Sequence, residues 1–189
     1  SINVFGVELT DKNADLKRVR RDVGLVFQYP EHQLFEETVE RDVAFGPTNM
    51  GLSGEELAAC VREAIERVGL DFEAVRSRSP FELSGGQRRR VAIAGVIAMR
   101  PKFLILDEPT AGLDPRGRNE LLDLVRQLHQ RDKTGILLIT HSMDDIARAA
   151  DRIVVIDKGR IVMDGTPQQV FSHASQLEEI GLDVPQTTR

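Results

Sequence analysis

The sequence predicts an α/β fold whose parallel sheet is covered on both faces. Residues 23–27, 103–106 and 136–139 are short apolar runs, each followed at once by polar residues, as the buried strands of a parallel sheet are. Capped helical patterns follow the later runs, with Asp114 ahead of Pro115 and Ser142 ahead of a second helix. Strand and helix therefore alternate after Pro101, the pattern of a sheet with helices packed on it.

Taken in order, residues 2–7 alternate weakly and read as one antiparallel strand entered midway. The run at 23–27 delivers Gln28 to a loop marked by Pro30. From Ser53 the period changes: Ser53 and Glu56 fit a capping box, and Leu57, Val61, Ile65 and Val68 recur at helical spacing. Residues 31–100 thus read as a mostly helical insertion within an α/β core made of residues 1–30 and 101–171. Lys158-Gly159 is a two-residue hairpin turn between strands at 152–157 and 160–163, and Thr166 opens one more short helix. Residues 172–189 form a polar tail with little from which to build a core.

A chain of 189 residues, 41% hydrophobic, is long enough for one core, so a single domain is expected. The longest apolar stretch, residues 91–99, falls far short of the roughly 18 residues needed to span a bilayer. The first residues show no basic region ahead of an apolar run, so no secretion signal is read there. Cys60, the single cysteine, has no second thiol for a disulfide or a thiolate metal site, which points to the cytosol. A net charge of −5 gives no general attraction to nucleic acid, and the run Arg88-Arg89-Arg90 reads as a solvated helix face.

The chemistry gathers at strand ends. Residues 103–106 are wholly apolar and stop at two adjacent carboxylates, placing Asp107 and Glu108 at the carboxyl edge of the sheet, where open α/β folds bind ligands. A carboxylate there suits magnesium held among phosphates, the role read for Asp107, and a second one can orient and deprotonate a water, the role read for Glu108. Ser84-Gly85-Gly86 precedes a helical stretch, so a hydroxyl and open backbone N–H groups converge on a helix N-terminus. His141 leaves the run at 136–139 at the same kind of edge, where an imidazole can donate to a phosphate or to the attacking water. Gln28 ends another strand and can bring its amide oxygen to magnesium or water. The spacing G-x-x-x-x-G recurs at Gly46 and Gly51, but Leu52 stands where a phosphate-clamping lysine belongs.

Leu83-Ser84-Gly85-Gly86-Gln87 lies 24 positions ahead of Asp107, and with the run at 103–114, FLILDEPTAGLD, and Ile139-Thr140-His141-Ser142 it resembles the nucleotide-binding domain of ATP-binding-cassette proteins. The resemblance covers essentially the whole chain. It implies a P-loop NTPase, RecA-like three-layer core with an inserted helical subdomain, and ATP with Mg²⁺ as ligands. Gln28 then corresponds to the Q-loop glutamine, Ser84, Gly85, Gly86 and Gln87 to the signature motif, Asp107 and Glu108 to the end of the Walker B strand, Asp114 to the D-loop and His141 to the switch histidine. In that family two domains pack head to tail, so the signature of one closes over nucleotide held by the other.

Residues 27–39, FQYPEHQLFEETV, with Asp42-Val43-Ala44-Phe45-Gly46-Pro47, are similar to the ATPase subunits of energy-coupling-factor transporters, which import vitamins and metal ions. This implies a second ATPase, a transmembrane coupling subunit and a substrate-binding membrane subunit as partners, with the ATPase peripheral on the cytoplasmic face of the membrane. Leu34 and Phe35 are expected to meet the coupling helices. The family's strand, Walker A loop and following helix, roughly 30 residues or more, do not appear, and residues 180–186 resemble a segment that runs on further in the family, so a fragment is expected. Alternatives are a non-catalytic module that only donates its signature and a non-transport ATPase of the same family. The 55 positions from Gln28 to Leu83 carry no sustained heptads, against the coiled-coil insertion of the latter.

Overall fold

In a computed structural model, in which residues 1–182 are described, the first residues fold as a hairpin and not as one strand. β1 (Asn3–Val4) and β2 (Val7–Glu8) pair antiparallel around Phe5 and Gly6, both at positive φ, as a tight two-residue turn requires. Helix α1 (Leu16–Asp22) follows, capped by the Asp15 carboxylate, which accepts from the Arg18 N–H, and leads into β3 (Val23–Val26). A 3₁₀ turn (Pro30–Gln33) then enters the helical stretch: α2 (Val39–Asn49), α3 (Gly54–Arg67), α4 (Phe72–Val75), a second 3₁₀ turn (Pro80–Glu82) and α5 (Gly85–Ile97). β4 (Phe103–Asp107), α6 (Pro115–Asp132), β5 (Gly135–Ile139) and α7 (Met143–Ala149) alternate as the sequence pattern predicts. β6 (Ile153–Asp157) and β7 (Arg160–Gly165) form a hairpin turned by Lys158 and Gly159, both at positive φ, before α8 (Pro167–Phe171) and α9 (Ala174–Glu179).

Local chemistry explains most of these boundaries. Ser84 caps α5 in a full capping box with Gln87, Asp114 accepts from the Gly117 N–H with Pro115 at the first helical position, and Thr166 and Gln169 form a box at α8. The expected box at Ser53 and Glu56 does not form. Gly54 enters α3 at a φ of +59°, and the Ser53 hydroxyl makes no bond to the free N–H groups.

The parallel sheet has the order β3-β4-β5, with Val26 opposite Leu106 and Leu106 opposite Leu138. One face is packed: Leu104 and Leu106 are buried in a continuous cluster with Val91, Ile93 and Ala94 of α5, Val125 of α6 and Val39, Val61 and Ile65 of the helices before them. On the opposite face Leu25, Leu137 and Ile139 are exposed, while Phe103 and Ile105 are half-buried. Wholly apolar strands signal burial on both sides, and this second face is the less buried of the two among the described residues. A second cluster joins Met143, Ile153, Val155, Val170 and Phe171 to Leu177 of α9, which is fully buried. The stretch after Ser172 therefore does contribute a core residue; residues 183–189 of the expected tail lie outside the described residues.

β3 and α5 approach closely at Gly24. A Cβ there would lie 2.7 Å from Val96 Cγ1 and 3.0 Å from Leu104 Cδ1. We expect Gly24→Val to overpack this contact and lower unfolding free energy by about 1–3 kcal/mol, read as a lower denaturation midpoint with an unchanged slope.

Candidate functional site

Because β3, β4 and β5 run parallel, their carboxyl ends share one edge, and that edge carries Gln28, Asp107, Glu108 and His141. Glu108 is its centre. The Glu108 N–H donates to the Ile139 carbonyl at 2.8 Å, extending the β4–β5 ladder one residue beyond the strands. The chain then turns with Glu108 at a φ of +44°, a left-handed conformation that costs a non-glycine residue free energy and recurs at functional sites.

The Glu108 side chain is only 19% exposed and turned to the neighbouring strand end. Oε1 accepts from the His141 backbone N–H at 3.0 Å and lies 2.6 Å from His141 Nδ1, while Oε2 accepts from the Thr140 hydroxyl at 3.3 Å. The imidazole is otherwise open to solvent. A carboxylate so held is oriented by two elements and coupled to a group that can donate or accept a proton. Asp107 and Gln28 make no side-chain hydrogen bond among the described residues, which leaves their oxygens free for an external partner. No group of three or more His, Cys, Asp or Glu side chains able to enclose a metal occurs among the described residues. That donor set suits a cation such as Mg²⁺, which is held by one or two protein oxygens plus phosphates and water.

A buried network behind this edge was not legible in the sequence. Asp145, 1% exposed, accepts from the Thr110 hydroxyl at 2.7 Å and from Arg118, whose other nitrogen donates to the Ser142 hydroxyl. It thus ties the segment after Glu108 to the turn after His141. In sequence Asp145 reads only as an acid in the first turn of α7, and nothing local pairs it with Thr110 or Arg118.

Ser84, Gly86, Gln87 and Asp114 lie apart from this edge and together line an open depression of about 760 Å³ between α5 and α6. Added Cβ atoms at Gly85 and Gly86 would meet nothing within 4 Å. Within one chain, then, Ser84, Gly86, Gln87 and Asp114 line a depression to which Glu108 and His141 do not contribute. Gly46, by contrast, sits inside α2 against Met99, so the glycine pair there is a helix end and its turn, with no phosphate loop.

Arg89 corrects the reading of the arginine run as solvated. It is 4% exposed, its Nε and Nη2 donate to the two Glu31 oxygens at 3.1 and 3.2 Å, and its Nη1 donates to the carbonyls of Pro109 and Ala111 at 3.1 and 2.7 Å. Burial pushes the Glu31 carboxyl up, but the Arg89 guanidinium and a backbone N–H outweigh it and hold the group below its ordinary value. A carboxyl lowered on folding adds stability that is whole above its unfolded pKa and lost as pH falls through the folded one.

Leu34 and Phe35 separate in the structure. Leu34 is buried in the main core, whereas Phe35 is 58% exposed and meets Phe45 edge to face at 5.0 Å. Phe35, Phe45, Met50 and Met99 line an open groove of about 720 Å³ rimmed by Lys17, Arg18 and Arg21 of α1.

The sequence model of the ABC transporter family matches residues 1–111. The energy-coupling factor transporter ATP-binding protein EcfA2 of Caldanaerobacter subterraneus subsp. tengcongensis is 58% identical over 187 residues, 99% of this chain and 65% of that protein. EcfA2 of Clostridium perfringens is 55% identical over 188 residues, 100% of this chain and 66% of that protein. The chain thus spans about 65% of the length of the curated relatives it matches. Among solved structures, cbiO1 from Clostridium perfringens, described as part of the ABC transporter complex cbiONQ, superposes with a TM-score of 0.77 at 38% identity, covering 92% of this chain and 68% of that one. The dimeric cassette MJ0796, bound to ADP and Pi, superposes with a TM-score of 0.74 at 27% identity, covering 87% of this chain and 72% of that one.

The Asp145 network generates one test. Asp145→Ala leaves Thr110 and Arg118 without their buried acceptor, and we expect a loss of about 1–3 kcal/mol in unfolding free energy, measured by chemical denaturation.

Proposed function

Because the chain belongs to the ABC transporter family, with the P-loop NTPase fold of its ABC ATPase neighbours, we propose that it is the larger part of an ATPase subunit that energises an energy-coupling-factor importer. The observation that carries this reading is the Glu108 carboxylate clasped by Thr140 and His141 at the carboxyl edge of the sheet, beside Asp107. Relatives named as energy-coupling factor ATP-binding proteins match along nearly the whole chain and support the transport assignment. No helix of the described residues is long and apolar enough to cross a membrane.

In this reading ATP is the substrate, and Mg²⁺ bound with it supplies charge neutralisation at the phosphates. Asp107 and Gln28 hold the metal through their free oxygens. Glu108 accepts a proton from the attacking water, and its bonds to Thr140 and to the His141 N–H keep the basic oxygen aimed while its position between two strand ends keeps it from swinging away. His141, 82% exposed, presents its remaining ring nitrogen to the terminal phosphate. Ser84, Gly85, Gly86 and Gln87 with Asp114 act across to a second ATPase subunit, which fits their separation from the Glu108 edge and their open surface. The relatives are longer than this chain, and the exposed side chains of Leu25, Leu137 and Ile139 suit cover by a further apolar segment of a whole subunit. In this reading residues 1–30 and 101–171 make the α/β core, 31–100 the helical part, and 172–189 a C-terminal segment that contributes Leu177 to the second cluster.

For the membrane partner we assign the groove at Phe35, Phe45 and Met50 as the seat of a coupling helix, with the subunit peripheral on the cytoplasmic face. An exposed aromatic pair in an apolar trough suits the apolar face of a helix, and the α1 arginines suit acidic residues at its edge. Leu34 supports this seat from beneath.

Two outcomes test the proposal. In the full-length subunit, Glu108→Gln keeps the shape and loses the base, so ATP affinity by calorimetry stays within about threefold while turnover falls by roughly 10²–10⁴. Turnover near that of the wild type moves the base elsewhere. At the groove, Phe35→Ser leaves the melting temperature unchanged and weakens co-purification of the membrane subunit. Leu34→Ala instead costs about 2–5 kcal/mol of fold stability, as a buried leucine does.

A further inference from the structure

Arg89 touches three separate segments at once. Glu31 follows the Gln28 loop by three residues, Pro109 and Ala111 lie between Glu108 and Asp114, and Arg89 itself stands one turn inside α5, the helix that Ser84 caps. Its planar fork matches this set: two nitrogens take the two carboxylate oxygens of Glu31 and the third reaches both carbonyls. The ring of Tyr29, the residue next to Gln28, lies 5.8 Å from the guanidinium carbon. Lysine can carry the charge but not this geometry, since one ammonium offers no pair of parallel donors.

We propose that Arg89, through Glu31 and the Pro109 and Ala111 carbonyls, is a positioning residue that keeps the Gln28 loop and the Glu108–Asp114 segment in fixed relation to the signature helix. The proposal rests on the ATPase reading above and adds to it a residue that touches no substrate. The effect it predicts lies in the chemical step. Gln28 and Glu108 remain present and able to bind when the link is cut, but their spacing is no longer enforced, and a displacement of about 1 Å is enough to cost a large factor in rate.

The experiment uses the full-length ATPase assembled with its membrane subunits, in three forms besides the wild type: Arg89→Lys, Glu31→Gln, and Glu31→Met combined with Arg89→Met. Steady-state kinetics, ATP affinity by calorimetry and thermal unfolding are read on each. Positioning requires kcat to fall about tenfold or more in all three, with KM for ATP and affinity held within about threefold. The double methionine form separates positioning from plain stability, because apolar residues of similar volume commonly restore the stability of a replaced buried ion pair. Its melting temperature should stand near that of the wild type while kcat stays low. Normal kcat in the double methionine form, or kcat within twofold of wild type in Arg89→Lys, overturns the proposal and leaves Arg89 a structural residue. A wild type that shows no ATP turnover overturns this proposal and the ATPase reading together, whereas active wild type with unaffected variants overturns this one alone.

Discussion

The parallel pairing of β4 with β5 is the constraint on which the candidate site depends. Its last hydrogen bond, from the Glu108 N–H to the Ile139 carbonyl, holds the end of one strand beside the end of the next. From there the Glu108 carboxylate reaches both the His141 N–H and the Thr140 hydroxyl without leaving the sheet edge. Since register has a period of two, a slip of one residue would turn Leu104 and Leu106 out of the core and carry Glu108 away from His141 in the same movement. Core packing and site geometry are therefore specified by the same ladder.

Around this ladder the polar interior is spent on joining segments. Asp145 ties Thr110 to Arg118 and Ser142, and Arg89 ties Glu31 to the Pro109 and Ala111 carbonyls. Both charges are nearly fully buried, and a buried charge is tolerated only when its partners are complete. The segment from Glu108 to Asp114 is consequently held from two sides, by α5 through Arg89 and by α7 through Asp145. A turn strained at Glu108 persists because its surroundings leave it no alternative.

The two groups of candidate residues line different places. Glu108, His141, Asp107 and Gln28 share the sheet edge, while Ser84, Gly86, Gln87 and Asp114 line a depression between α5 and α6. The proposed action of the second group on another ATPase subunit rests on this separation. On the second sheet face, Leu25, Leu137 and Ile139 have the composition of buried strand residues yet are well exposed.

The features that depend on near neighbours in the chain were legible in the sequence. Strand runs, the caps at Ser84, Asp114, Ser142 and Thr166, and the hairpin turn at Lys158-Gly159 each follow from residue chemistry within about four positions. Placing Asp107, Glu108 and His141 at strand ends needed only the apolar runs before them. What tertiary structure alone decided involves long separations. Arg89 meets Glu31 across 58 positions and Thr110 meets Asp145 across 35, so an arginine that looks solvated in its own helix becomes a buried charge that joins three segments. Leu34 and Phe35 are adjacent and chemically alike, yet one is core and the other surface, since Leu34 packs into the main cluster while Phe35 lies against Phe45 and open to solvent. Even the Ser53 box failed for a conformational reason, the left-handed entry at Gly54. Local chemistry sets which element forms; which face is buried, and which charge finds a partner, is set by neighbours that the chain brings together only when it folds.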